Sequence, residues 1–447
     1  MHNFLKKIRN LLNKVLIPIL VKHEMYYVLS LLLILNLNKI KKILPKNSPK
    51  YKVIVLSKSG GVEDLIESQK KYNNNFLYLS CPRPFFKHIF STIFQNKKNL
   101  LNDYKYSTNI NEIEILKMKY KKFLISFLKV FKKKYNFNMF IGFNFNYLSE
   151  RELHVACSEL KIPFLLLFKE SIHTKIQEKY FLYTYKKVNE KFNGYKVAVY
   201  SNYAKKLLKN SNIINKNNIE VIGCSRLASS YSCKKIEPKN QILYYAIQNN
   251  RGLPNSLIKS YSKKFFSNFS YHKNYNLKYN WTSLHKKILK LLKKFAINNP
   301  NISIIIKVKI GDSFNTNEYK NLPKNVKIFN TGVGNKFLED SKVVIGWNTT
   351  AILEAIAANR FILLPYFNFN KQNKIFNSAK LKLELKKINY GYTEDDFYKK
   401  LNLLVRKKYN KGVTNNNLNS LEYYLGNKDN NAGLRLNKFL KNNLLYK

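Results

Sequence analysis

Cysteine is scarce in this chain. Its four cysteines, Cys81, Cys157, Cys224 and Cys233, form no Cys-x-x-Cys pair and no metal-ligand spacing with the seven histidines. That argues against a disulfide framework or a zinc site and suits a reducing, cytoplasmic setting. Acidic residues are scarce too, 26 against 80 lysines and arginines, for a formal charge of +54. Gly, Ala, Pro and Arg are depleted while Lys, Asn, Ile and Tyr abound. This is the joint bias that A/T-rich codons produce, and the lysines are spread over the whole length. No nucleic-acid-binding motif stands out, so no specific nucleic-acid partner is expected. Long apolar runs are missing as well. Val15 to Val21 is short and contains Pro18, and Met25 to Leu37 stops before the roughly twenty residues a spanning helix needs. No small-residue cleavage site follows, which argues against a cleaved signal peptide.

What is present is a globular composition, 45% hydrophobic over 447 residues, long enough for two or three cores. Residues 1–50 read as a basic helical segment. It either lies on an anionic membrane surface as an amphipathic helix or packs on the next domain.

From residue 51 strand-like and helix-like segments alternate. Lys52 to Leu56, Phe76 to Leu79, Met139 to Phe143, Ile162 to Phe168, Lys196 to Tyr200 and Ile219 to Ile222 read as buried strands. Ser149 with Glu152 reads as a capping box, and Ser201 as a cap. A polar, turn-rich linker is placed at 230–241. A second series follows, with strands at Ile242 to Ile247, Ser303 to Val308, Val326 to Phe329, Val343 to Ile345 and Phe361 to Leu364. The helix between the first two has apolar positions 284, 288, 291, 292 and 295, and His285 on it reads as packing. Two βα series imply two Rossmann-like α/β domains, 51–229 and 242–447, with the last helix returning toward the first domain. Ligands of such sheets sit at the carboxyl ends of strands, and a cleft between two domains is the expected site.

The segment KVVIGWNTTAILEAIAANRFILLPYF, residues 342–367, is the most informative. Gly346 ends a strand, and Asn348, Thr349 and Thr350 stand where a helix begins, as capping side chains. A helix N-terminus just past a parallel strand suits a phosphate, and Glu354 one turn on suits a ribose. An ordinary βαβ unit with a well-capped helix has the same pattern.

The chain as a whole resembles the GT-B glycosyltransferases, within them the capsule and surface-carbohydrate group, near the teichoic-acid glycerophosphotransferases and the UDP-GlcNAc 2-epimerase-like proteins. SKSGGVEDL, with Ser59, Gly60 and Gly61, is similar to the glycine-rich loop after the first strand of that fold. VAVYSNYAKKLLKNSNIINKNNIEVIGCSRLA resembles the end of its N-domain, where a V-x-G-x-P-R element is usual. Here Ser225 replaces the proline. ILYYAIQNN resembles the first C-domain strand and its loop. Residues 342–367 are similar to the donor element V-I-G-x-N-S-T-x-L-E-A-x-A-x-G-x-P, with Asn359-Arg360-Phe361 where Gly-Lys-Pro is common. YYLGNKDNNAGLR resembles the closing segment of the surface-carbohydrate group. The likeness runs over roughly residues 50–440.

The resemblance implies transfer of a sugar from a nucleotide-sugar to a surface polysaccharide, glycan or lipid-linked acceptor. It implies no metal and no other cofactor. No Asp-x-Asp occurs, and Glu394-Asp395-Asp396 reads as a helix start. A CDP-polyol phosphotransferase, an epimerase and a non-catalytic protein of the same fold remain alternatives. For the departing diphosphate the candidates are Asn348, Thr349, Thr350, Arg226 and Lys307, and Gly346, Gly223, Gln248 and Asn249 complete the donor-binding set. For the base they are Glu170 and His173 in LLLFKESIHT, with Glu63 and Asp64 competing.

Overall fold

The computed structural model describes residues 2–40, 49–58, 60–71, 76–101, 106, 110–188, 191–247, 281–309, 319–331, 334–367, 381–383, 388–409, 418–427 and 429–444. The chain forms two compact units. The first holds Met1–Ser171, Phe181–Arg226 and Asn431–Lys447, the second Ile172–Tyr180 and Leu227–Asn430. Each is an α/β unit on its own sheet, the class expected of Rossmann-like folds.

Among the described residues the first unit has seven strands: β1 (Asn38–Lys39), β2 (Tyr51–Leu56), β3 (Phe76–Cys81), β4 (Met139–Gly142), β5 (Phe164–Phe168), β6 (Lys196–Val199) and β7 (Ile219–Val221). They lie in the order β1-β3-β2-β4-β5-β6-β7. All pairs are parallel except β1 with β3. The strands are apolar on both faces because helices cover both. Ile54 and Leu56 point into one core cluster, with Phe164, Leu166 and Phe168. Val53 and Val55 point into the other, with Leu165 and Leu167. The first face is covered by α1 (His2–Lys22), α2 (Tyr26–Asn36), α4 (Pro84–Phe94), α5 (Asn111–Tyr135) and α6 (Leu148–Glu159). The other is covered by α3 (Gly61–Lys71) and the helix Ala432–Asn442, whose Leu436, Phe439 and Leu440 join its core. The chain's last helix is thus built into the first unit.

Among the described residues the second unit has six parallel strands: β8 (Gln241–Tyr245), β9 (Ser303–Lys307), β10 (Val326–Phe329), β11 (Ser341–Ile345), β12 (Phe361–Pro365) and β13 (Ile388–Gly391). Their order is β10-β9-β8-β11-β12-β13. The apolar positions expected on the helix Trp281–Asn298 are all buried. His285 is packed there, between the hydroxyls of Tyr244 at 2.7 Å and Tyr319 at 3.0 Å. In both sheets the first long strand is central and later strands wind out to either side. The winding reverses between β2 and β4 and between β8 and β11. In sheets of this kind ligands bind beyond the carboxyl ends of the strands at such a reversal.

Two local expectations fail. The capping box at Ser149 does not form. Helix α6 starts one residue earlier, and its N-cap is Tyr147, with no side-chain bond. Tyr120 of α5 donates its hydroxyl to the Ser149 carbonyl at 2.8 Å, and the Tyr106 hydroxyl donates to Glu152 at 2.8 Å. The Glu152 carboxylate is thus engaged by Tyr106 rather than by the helix start. The polar stretch 230–241 is not a bare linker. It begins within the helix Leu227–Ser232 and continues as a 3-10 turn, Cys233–Lys235. Ser201 caps its helix as expected, accepting from the Ala204 N–H at 3.2 Å.

Candidate functional site

At the first reversal, β2 runs into Lys58 and then Gly60, which sits in the left-handed region at φ +86°. A Cβ on Gly61 would lie 2.1 Å from the Phe143 ring, so only glycine lets α3 start this close to the end of β4. The Glu63 carboxylate accepts from the Gly60 N–H at 2.5 Å and fixes the turn. Ser59 lies outside the described residues.

Asp64 is buried, at 3% exposure. Its carboxylate accepts from the Arg226 N–H at 2.9 Å, the Arg226 guanidinium at 3.0 Å, the Tyr200 hydroxyl at 2.5 Å and the Ser225 hydroxyl at 3.3 Å. Arg226 also donates to the Tyr200 hydroxyl at 2.6 Å and to the Gly60 carbonyl at 3.3 Å. Gly223, at φ +80°, makes the turn that delivers Ser225 and Arg226. Asp64 is therefore a buried anchor joining the two loops. Ser225, where the resembled element has proline, supplies a hydroxyl to that anchor, including a bond to the Asp64 carbonyl at 2.6 Å.

Above the anchor several cations meet. The Lys58 ammonium bonds the Tyr147 hydroxyl and pairs with Glu170 at 3.2 Å. Arg83 stacks on the Tyr147 ring at 3.5 Å and pairs with the buried Glu150 at 2.5 Å. Lys169 is pushed down to about 8, mainly by burial; Glu170 opposes the shift, while Lys58 and Arg226 add to it. Glu170 stays about half exposed. This edge of the sheet thus joins a reachable carboxylate to Lys58, Lys169 and Arg226. The sequence pattern passes over Lys58 and Tyr147, although both follow strand ends as catalytic loop residues do. His173, three residues beyond Glu170 in sequence, belongs to the second unit.

At the second reversal, Gly346 follows β11 and packs against Tyr245 and Ile352. Asn348 adopts φ +43°, and its side-chain oxygen accepts from the Leu381 N–H at 3.1 Å. Thr349 is the N-cap of the helix Thr350–Ala357, accepting from the Ala351 N–H at 3.4 Å. Thr350 is the first helical residue, so one of the three expected caps forms. Asn348 shapes the loop instead. Glu354 is partly exposed on that helix. Its charge adds to the burial that pushes the Tyr245 phenol up at the end of β8. The helix N-terminus with Thr349, and Glu354 one turn on, thus follow the carboxyl end of β11, where the strand order reverses. Lys307 ends β9 buried, and its ammonium donates to the Val308 carbonyl at 2.7 Å. Gln248 and Asn249 lie outside the described residues.

Asn359 and Arg360, where the resembled element has Gly-Lys, have a structural account. Asn359 takes the left-handed conformation at φ +59°, which asparagine tolerates. Arg360 is buried and donates to the carbonyls of Leu338, Ile236, Cys233 and Glu339 and to the Tyr409 hydroxyl. It ties the segment after the Leu227–Ser232 helix to this sheet. No pattern in the sequence marks it. Among the described residues no group of three or more His, Cys, Asp and Glu side chains is placed to hold a metal ion.

No family model and no curated protein matches the chain. Among solved structures it is similar to the UDP-GlcNAc 2-epimerase of Methanocaldococcus jannaschii. That match has 11% identity and TM-score 0.46, over 88% of this chain and 99% of that one. It is similar to the Neisseria meningitidis UDP-GlcNAc 2-epimerase bound to UDP-GlcNAc, at 13% identity and TM-score 0.43, over 88% and 100%. It is also similar to a UDP-forming trehalose-phosphate synthase of Burkholderia xenovorans, at 9% identity and TM-score 0.41, over 88% and 98%. These likenesses add nothing to what the two sheets themselves establish.

Proposed function

We propose that the chain is a glycosyltransferase that moves a sugar from a nucleotide-sugar to a surface polysaccharide or glycan acceptor without a metal. The observation that carries this reading is the second reversal of strand order. A parallel strand ends at Gly346, and a helix capped by Thr349 opens beside it, where the winding of the sheet reverses. A diphosphate placed there meets the positive end of the helix dipole, and Glu354 is one turn away for a ribose. Glu170 of the first unit serves as the base that takes the acceptor hydroxyl's proton, oriented by Lys58. Asp64 is buried and held by its partners, and one oxygen of Glu63 is used by the Gly60 N–H, so Glu170, about half exposed, is the carboxylate of this edge favoured as the base.

Two substitutions test the assignment against a panel of nucleotides and nucleotide-sugars. Thr349→Val is expected to weaken nucleotide binding by about 1–3 kcal/mol, the worth of one good polar contact, read as a smaller ligand-induced rise in melting temperature. Thr349→Ser keeps the hydroxyl and the cap and is expected to bind normally. Glu170→Gln is expected to leave nucleotide affinity intact and lower turnover roughly a hundredfold or more. Full turnover by Glu170→Gln removes the base, and a panel in which no nucleotide raises the melting temperature removes the donor site.

A further inference from the structure

The outer face of the N-terminal helices is the strongest unexplained surface of the molecule. Helices α1 and α2 pack side by side on the first unit. Their inner residues, Ile17, Leu20, Val21, Leu29 and Leu33, are buried in its core with α4 and α5. A reciprocal amide pair, Asn13 with Asn36 at 2.8 and 3.1 Å, fixes one helix against the other. The hairpin is therefore held in place.

Its outer side is apolar. Leu11, Leu12, Val15, Leu16 and Ile19 of α1 recur at helical spacing and are exposed, Leu11 at 64%. Tyr27, Val28, Leu31 and Leu35 of α2 do the same, Leu35 at 76%. With Met25, these are ten of the nineteen large apolar side chains exposed among the described residues, all between positions 11 and 35. Singly exposed apolar residues need no explanation, but a contiguous set marks a contact surface.

The charge around this face selects the occupant. Lys14, Lys22 and His23 are exposed on it, with Glu24 the acid between the helices. Lys134 of α5 lies 3.9 Å over the Tyr27 ring. Lys87 and Lys14 both act on His88, whose pKa is lowered by burial first and then by these two cations. The face thus has a basic rim. A second copy would bring its own cations to the same rim and another +54 of charge, which like-charge repulsion opposes. Anionic lipid supplies both an apolar layer and the opposite charge. No helix among the described residues is long and apolar enough to cross a membrane. A helix of this kind lies in the interface plane instead.

We propose that α1 and α2 form a monotopic membrane-docking face, which seats Leu11, Leu12, Val15, Leu16, Ile19, Leu31 and Leu35 in the acyl boundary of an anionic bilayer. The docking does not depend on the proposed transferase activity.

The test is co-sedimentation of the full chain with vesicles of phosphatidylcholine alone and of phosphatidylcholine mixed with phosphatidylglycerol. Binding to the mixed vesicles, weakened by salt, is expected. The variant Leu12→Asp/Val15→Asp/Ile19→Asp changes only exposed positions. It is expected to keep its melting temperature and lose at least about tenfold in partitioning, since burial of these apolar side chains drives the docking. Lys14→Glu/Lys22→Glu is expected to reduce binding to mixed vesicles by a similar factor. Failure of the full chain to bind overturns the proposal. Unchanged binding by the triple variant also overturns it, because the general positive charge would then suffice. So does a dimer in sedimentation velocity that the triple variant abolishes, because the face would then belong to a second copy.

Discussion

Replacing Asp64 by asparagine separates an anchor from a catalytic acid. In the structure Asp64 is buried and its two carboxylate oxygens receive the Arg226 N–H, the Arg226 guanidinium, the Tyr200 hydroxyl and the Ser225 hydroxyl. Asparagine keeps one acceptor oxygen. Its amide NH₂ then faces the Arg226 guanidinium and the Tyr200 hydroxyl, which both donate to that point now. The guanidinium, only 11% exposed, loses its counter-charge. Breaking a buried pair from one side costs about 3–5 kcal/mol, whereas a surface aspartate change stays within roughly 0.5 kcal/mol. Urea unfolding of the full chain, followed by a probe in the first unit, reads the difference as a fall in the midpoint. Adding Arg226→Met removes the stranded charge and is expected to recover part of the loss, with a coupling of about 1–3 kcal/mol. A stability change below about 0.5 kcal/mol together with dead turnover would refute the anchor and return Asp64 to the chemistry.

Arg360→Met takes a donor from four backbone carbonyls, of which Leu338 and Cys233 keep the N–H groups of Ser341 and Ile236, and is expected to cost at least about 2 kcal/mol in the second unit, at about 1–3 kcal/mol for each buried group left unpaired; a loss below about 1 kcal/mol in thermal or urea unfolding contradicts the tie drawn here. His154 is buried between the rings of Phe164 and Phe192, at 4.4 and 4.8 Å, and burial lowers its pKa to about 3. The unfolded chain therefore binds a proton from about pH 6.5 downward while the folded chain does not, so stability falls as pH drops from 6.5 toward 3. His154→Phe is expected to flatten that part of the curve, and an unchanged acid slope in a pH series of melting temperatures counts against the assignment.

Much of this protein is legible in the sequence, and the reason is local. Strands buried on both faces, such as Val343 to Ile345 and Val53 to Leu56, must be continuous apolar runs. Glycines at tight approaches, such as Gly61, have no substitute. Thr349, Ser201 and the Glu394-Asp395-Asp396 start are read from a few neighbouring residues because a helix end is settled within one turn. That is why the two α/β series and the 346–350 loop stand out by pattern alone. Contacts that join distant segments have no such signature. Tyr120 bonds the Ser149 carbonyl from 29 positions away. Arg226 reaches Asp64 across 162 positions, and Arg360 reaches Cys233 across 127. The helix Ala432–Asn442 completes a core begun by Val53. Which carboxylate is an anchor and which stays reachable, Asp64 or Glu170, was decided only when the chain packed. Ionisable groups take their role from the partners and the solvent that tertiary structure leaves them, and the sequence names the groups without naming those neighbours.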